Sequence, residues 1–368
     1  VQFVEGTKTL VTGVTGFLGG AVAASLLASE HSVVTLVRGT DPDQARSRVA
    51  HALSPYLGER AETAASTISI MVGDLTSEAT YADSRFDDVT HVIHSAACTS
   101  FASQRSVWTS NVEGTKRLAE RLLRSERLRR FLHVSTAYCC GDRPSRVVRE
   151  EDAPHAEHGH VNEYTRSKAA AELWLQSMGF GERLVIARPS VVIGHTSLGV
   201  GPSSSLYWYC RALAALRCGP YALTTRRDIV PVDYVAEALL FLLWLERPRF
   251  DTYHVSAGAR GSQTLDELVR KLSAAPDGDL GWRKIPASAF ADLRNEIRLL
   301  VRDEQEARKL AVALSACAKF GELGIDYFDN ERLLSEGFRP PPRFVDYVDV
   351  CIETSGGASI FDQLVDDA

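Results

Sequence analysis

Tyr164 and Lys168 stand four residues apart. On a helix they share one face. A tyrosine beside an ammonium is a proton-transfer pair. The free phenol titrates near 10, too high for efficient transfer at neutral pH. A neighbouring ammonium, together with the positive ring of an oxidised nicotinamide, would favour the phenolate and lower that value. Upstream, Ser135-Thr136-Ala137 closes an apolar run that begins at Arg130. Its hydroxyls could hold an oxygen atom opposite the tyrosine, with Thr136 the first candidate and Ser135 the reserve. The alternative is that both only hydrogen-bond the strand end. Asn111, in Asn111-Val112-Glu113-Gly114-Thr115, either holds a water that relays protons to Lys168 or satisfies helix backbone groups.

Such a pair needs something to react with, and the N-terminal region supplies a candidate. Thr12 to Gly19 read T-G-V-T-G-F-L-G, between the run Lys8–Val11 and the small-residue run Ala21–Leu27. That is strand, glycine turn, helix, a dinucleotide fingerprint. Gly13 permits the tight turn, Gly16 lets backbone approach a pyrophosphate, and Gly19 lets helix pack on strand. The helix N-terminus then offers unpaired N–H groups to phosphates. The second strand ends Thr35-Leu36-Val37-Arg38. An acidic residue there would suit the ribose hydroxyls of NAD; an arginine suits the 2′-phosphate of NADP. Arg48 is a second candidate wall of that pocket. Asp74, in Gly73-Asp74-Leu75, could accept from an adenine amine. Small residues in His94-Ser95-Ala96-Ala97 let backbone lie against ribose and phosphates.

The elements that must position these residues alternate. Strands are expected at Thr9–Thr12, Ser32–Val37, Ile68–Val72, His91–His94, Arg130–Ser135, Arg183–Arg188 and Thr252–Ser256. Helices are expected at Gly20–Ala28, Asp43–Leu57, Ser106–Ser125, Glu163–Gly179 and Val232–Leu245. Alternation of this kind predicts an α/β fold: a Rossmann-type, doubly wound parallel sheet. Beyond about residue 258 the pattern turns helical, with Thr264–Leu272, Ala287–Ala316 and Phe344–Ile352 as helices. The expected division is a nucleotide-binding domain over 1–193, continued by 226–258. A smaller, mostly helical substrate lobe covers 194–225 and 259–368. Leu206-Tyr207-Trp208-Tyr209 and Leu213–Leu216 line an apolar pocket there or form the lobe's core.

Composition narrows the function classes. The chain of 368 residues is 45% hydrophobic and 24% charged, with a net charge of −6. These values suit a globular protein and argue against a broad nucleic-acid surface. No apolar run reaches the roughly 20 residues of a membrane span; the longest, Tyr234–Leu245, contains Glu237. Seven cysteines without a C-x-x-C pattern suggest neither a zinc site nor a disulfide framework. Reduced thiols in a cytoplasmic protein are the expectation. His155, His158 and His160 lack the carboxylate or cysteine company of a metal site, and no metal is expected. Arg121, Arg124, Arg127, Arg129 and Arg130 form a basic cluster, either a docking patch for an acidic partner or a solvated helix end.

Together these stretches resemble the extended short-chain dehydrogenase/reductase superfamily, and within it the thioester reductase branch. That branch comprises terminal reductase domains of peptide and polyketide synthetases and of carboxylic acid reductases, with fatty acyl-CoA reductases as relatives. The resemblance rests on Leu36–Gly39, Ala45–Val49, Leu53–Leu57, Val72–Thr76, His91–Ala97, Asn111–Thr115, His133–Ala137, Arg188–Ser190 and Val230–Val235, in order, over roughly residues 8 to 260. It implies Thr136, Tyr164 and Lys168 as the catalytic set. The implied cofactor-binding set is Gly13, Thr15, Gly16, Phe17, Leu18, Gly19, Arg38, Arg48, Asp74, Leu75, Ser95, Ala96, Ala97, Asn111, Ser135, Tyr164, Lys168, Pro189, Ser190 and Val191. The implied reaction is NADPH-dependent reduction of an acyl thioester to an aldehyde, with an alcohol from a second round. The acyl donor would be coenzyme A or a carrier protein. The competing readings are a ketone or aldehyde reductase, a nucleotide-sugar epimerase or dehydratase, and an idle NADP-binding scaffold. Cys139, near Thr136, is read as a packed side chain rather than an acyl-accepting nucleophile.

Overall fold

The computed structural model describes residues 6–99, 104–142, 145–152, 154, 159–201, 205–274, 278–356 and 358–361. A seven-stranded sheet organises the chain: β1 (Thr9–Thr12), β2 (Val33–Val37), β3 (Ser69–Val72), β4 (His91–His94), β5 (Arg130–Val134), β6 (Leu184–Pro189) and β7 (Thr252–Val255). Its order is β7-β6-β5-β4-β1-β2-β3, and every pairing is parallel. Each strand lies within one residue of its sequence-based position at either end. The reason is physical. Strands covered on both faces read as near-continuous apolar runs, and β1, β2, β5, β6 and β7 are buried at every residue.

Helices α1 (Phe17–Ala28), α2 (Pro42–Leu57) and α6 (Val232–Trp244) cover one face with a continuous apolar core. Helices α3 (Gly114–Leu123) and α4 (Glu163–Ser177) cover the other. Local signals explain the boundaries. Asp41 caps α2 by accepting from Gln44 N at 2.8 Å, with Pro42 in the first turn. Asn162 caps α4 through Thr165 N at 3.0 Å. The single helix expected over Ser106–Ser125 is instead interrupted. A π-helical turn at Thr109–Glu113 separates Gln104–Trp108 from α3, a widening common at functional sites.

A second apolar core joins α5 (Ser205–Leu216), α7 (Leu265–Ser273), α8 (Glu304–Glu322) and α9 (Phe344–Thr354). Short strand pairs tie it to the sheet region: Val191–Val192 with Ile229–Val230, Val147–Val148 with Tyr327–Phe328, and Arg226–Arg227 with Gln263–Thr264. The continuous helix expected at Ala287–Ala316 is broken. Two short turns and a small helix occupy 287–300, and α8 starts afresh at Glu304. Asp303 accounts for the restart, accepting from Glu306 N at 2.9 Å as an N-cap.

Candidate active site

The sheet order reverses between β1 and β4, and ligands of open α/β sheets bind outside the strand ends at such a switch point. The glycine turn follows β1 there. Gly13 has φ 79°, and a Cβ on it would meet Ala96 N at 2.7 Å. A Cβ on Gly19 would lie 2.1 Å from the Gly13 carbonyl. Both glycines are therefore required by close backbone approach. Gly16 differs: a Cβ would meet only the Gly13 carbonyl, at 3.4 Å, and would otherwise fill open space at the cavity wall. Gly16 is also the N-cap of α1, which begins at Phe17 rather than Gly20. It gives the first-turn amides no side-chain acceptor, and no acid stands in that turn. A glycine cradle under uncapped helix amides fits the pyrophosphate of a dinucleotide. The Ser95 hydroxyl donates to Thr12 O at 2.7 Å, holding the β4 turn against the β1 turn.

A cavity of about 610 Å³ opens from this cradle. Of the sequence-predicted residues it brings together Gly13, Gly16, Phe17, Leu18, Gly19, Ser95, Ala97, Ser135, Thr136, Tyr164, Lys168, Pro189, Ser190 and Val191. Thr15 is exposed on the turn, and Ala96 backs Gly13. Leu75 packs against Gly114. Arg38 is exposed at the end of β2, and the Arg48 guanidinium donates to the Arg38 carbonyl. The two arginines thus share one corner, with Asp74 close enough to feel the Arg38 charge. Asp74 itself accepts from Thr76 N at 2.8 Å.

Asn111 sits in the π turn, buried between the loop after β4 and α4. Its side chain accepts from Cys98 N at 2.7 Å and donates to Cys98 O and Ser167 Oγ, both at 2.9 Å. It pins the loop after β4 to the helix that carries Lys168. Lys168 Nζ donates to Val134 O at 2.7 Å, and burial pushes its pKa down to about 8. Tyr164 departs from the expectation of a lowered phenol. Burial raises it to about 12. Its hydroxyl makes no hydrogen bond among the described residues and is a neutral donor facing the cavity. Thr136 accepts from Tyr138 N at 3.3 Å, leaving its own proton to donate. The Ser135 hydroxyl is buried without a partner among the described residues.

Behind this wall lies a charged cluster that the sequence did not flag. Arg188 Nε donates to both Glu172 oxygens at 3.1 and 3.2 Å, and the pair is almost fully buried. Arg188 also donates to Asp152 O at 3.1 Å. The Cys139 thiol points at Glu172 Oε2, 3.5 Å away. Burial and that carboxylate push its pKa well up, which keeps it a packed thiol and a poor nucleophile.

The cavity runs on into the lobe. Leu206, Tyr207, Tyr209 and Leu213 of α5 line it, while Trp208 turns into the lobe core. Tyr207, Tyr209 and Leu213 also belong to the lobe core, so the same side chains serve both expectations for this stretch. Tyr138, Arg227, Cys317 and Phe320 also line it and were not anticipated. In the basic cluster Arg121 pairs with Asp87 and Arg127 with Asp88, Arg130 is buried, donating to Glu182 O and Leu245 O, and Arg124 and Arg129 are exposed. His155 and His158 lie outside the described residues.

Sheet order, glycine cradle and tyrosine–lysine helix define the class: a nucleotide-binding protein of the extended short-chain dehydrogenase/reductase superfamily. Within it the chain belongs to the male sterility protein family of NAD-binding domains, whose model matches residues 11–239. It is 27% identical over 295 residues to fatty acyl-CoA reductase 1 of Xenopus laevis, an alignment covering 67% of this chain and 57% of that protein. It is 28% identical over 269 residues to the non-canonical nonribosomal peptide synthetase FrzA of Cladobotryum, covering 67% of this chain and 26% of the synthetase. The chain thus matches little more than half of the first relative and a quarter of the second. Its fold is shared with the terminal R domain of the myxalamid PKS-NRPS pathway, with TM-score 0.76 and 22% identity over 95% of this chain and 90% of that one. No helix among the described residues is long and apolar enough to cross a membrane.

Proposed function

We propose that the protein reduces an acyl thioester, carried by coenzyme A or a carrier protein, to an aldehyde with NADPH. The observation that carries the reading is one continuous cavity. It runs from the glycine cradle past Tyr164, Lys168 and Thr136 into an apolar lobe wall. The cradle would hold the pyrophosphate, Lys168 the ribose, and the Arg38–Arg48 corner a 2′-phosphate. When bound, the reduced nicotinamide supplies a hydride to the thioester carbonyl carbon. Tyr164, neutral because burial raises it, donates its proton to the carbonyl oxygen. Thr136 gives that oxygen a second hydrogen bond, which strengthens as negative charge develops. Collapse of the hemithioacetal returns its hydroxyl proton to the Tyr164 phenolate, expels the sulfur as a thiolate that takes a proton from solvent, and leaves the aldehyde. The seven free cysteines suit a reducing, cytoplasmic setting.

The test is NADPH oxidation with acyl-CoA and acyl-pantetheine thioesters beside the matching free aldehydes. Thioester-dependent oxidation with thiol release supports the reading. Oxidation with aldehydes alone replaces it with carbonyl reduction.

Two further outcomes bear on the assigned roles. Arg38→Asp is expected to raise the KM for NADPH by about tenfold or more while that for NADH changes little. Equal effects on the two cofactors would remove Arg38 from the phosphate site. The pH profile should follow Lys168. Its folded pKa, about 8, lies below the usual 10.4, so the ammonium is present below about pH 8 and is lost above it. The value of kcat/KM should therefore fall as pH rises past 8. Tyr164, at about 12, adds no second limb there. Lys168→Arg should move the fall upward; an unmoved limb means that another group titrates.

A further inference from the structure

Arg227 lines the cavity wall with its guanidinium stacked over the Tyr221 ring, 4.1 Å from the centroid. No hydrogen bond or ion pair to that guanidinium exists among the described residues. Beside it stand the phenols of Tyr221, Tyr138 and Tyr209 and the Cys210 thiol. The neighbouring carboxylate is already engaged. Asp228 accepts from Ala257 N at 2.7 Å and Phe328 N at 2.9 Å. Arg226 is fully tied: it donates to Ser262 Oγ at 2.9 Å and Ala259 O at 2.8 Å. Successive strand residues point to opposite faces, so anchoring Arg226 commits Arg227 to the cavity.

A partly buried cation with no counter-ion costs folding free energy that a structural role would not require. With one face stacked on an aromatic ring, its N–H edge remains open for bidentate recognition of an oxyacid. Tyr138 is two residues beyond Thr136, which places this charge at the junction of the reacting end and the lobe.

We propose that Arg227 seats an anionic oxyacid group of the thioester substrate. The group is either a carboxylate on the acyl chain or the phosphate of a phosphopantetheine arm. The proposal deepens the thioester reading by giving the substrate a charge, and its test does not need turnover. Calorimetry would compare three probes on the native protein: butyryl-pantetheine, which is neutral; succinyl-pantetheine, which adds a carboxylate; and butyryl-4′-phosphopantetheine, which adds a phosphate. At least one anionic probe should bind about tenfold to hundredfold tighter than the neutral one, and the one preferred names the source of the anion. Arg227→Gln should abolish the preference and leave the neutral probe unaffected. Arg227→Lys, which keeps the charge without the fork, should retain part of it and serves if the glutamine variant fails to fold. Equal binding of all three probes, no binding of either anionic probe, or a preference that survives Arg227→Gln overturns the proposal. Anion preference without NADPH oxidation by any thioester would instead sink the reductase reading and leave the anion seat standing.

Discussion

Tyr164→Phe is expected to lower kcat for thioester reduction by about a thousandfold while NADPH affinity stays within about twofold of native. Positioned general acids contribute typically 10²–10⁴-fold, about 3–5 kcal/mol of barrier. The substitution should leave the fold intact. The Tyr164 hydroxyl has no protein partner among the described residues, so its removal strands no donor or acceptor and costs little stability. The pKa direction supports the same role. Burial raises the phenol to about 12, so at neutral pH it is protonated and ready to donate, as the reductive direction requires. Thr136→Val should cost less in kcat but more in stability, because Thr136 Oγ also accepts from Tyr138 N and caps the turn after β5. Single-turnover NADPH oxidation with cofactor binding followed separately distinguishes the two. A Tyr164→Phe protein that keeps half its activity removes the tyrosine from proton donation.

Much of this arrangement could be read in the residue order, and the reasons differ by element. The seven strands were legible because each is short, apolar and flanked by turn residues, and parallel strands bury both faces. Gly13, Gly16 and Gly19 were legible because the backbone itself makes the site. The helix expected at 287–316 was misread because periodicity continued across a break that only Asp303, with Glu306 three residues on, marks as a new start. The state of Tyr164 was misjudged for another reason. Four-residue spacing places Lys168 on the same helix face, but the ammonium bonds the Val134 carbonyl, and burial then governs the phenol. Arg227 was invisible because Arg226 and Arg227 are adjacent and equivalent in sequence. Only the pairing with Gln263–Thr264 and the tethering of Arg226 decide which one faces the cavity. Cys317 and Phe320 reach the same wall from a helix remote in sequence, and no local pattern announces that.

The buried pair beneath the site leads to the second large effect. Glu172→Gln is expected to destabilise the protein by about 3–5 kcal/mol, because it leaves the Arg188 guanidinium buried without its counter-charge. For a chain of this length that corresponds to a fall in Tm of about 5 °C. Exposed pairs such as Arg308 with Glu304 should be worth less than about 1 kcal/mol, so the contrast is internal to the molecule. Arg188→Met should cost a similar amount by stranding the carboxylate. The double variant Glu172→Leu/Arg188→Met should recover most of the loss, since replacing both charges with packed apolar groups removes the desolvation cost along with the attraction. Urea unfolding of the three variants measures this directly, and single-variant losses below 1 kcal/mol would refute it. The pair also has a positional consequence. Glu172 lies one turn beyond Lys168 on α4, and Arg188 immediately precedes Pro189 and Ser190 on the cavity wall. The ion pair therefore sets the spacing between the helix that carries the proton-transfer residues and the strand that lines the site. In the double variant stability should return while kcat/KM stays depressed, because leucine and methionine fill the volume but do not reproduce the bidentate register.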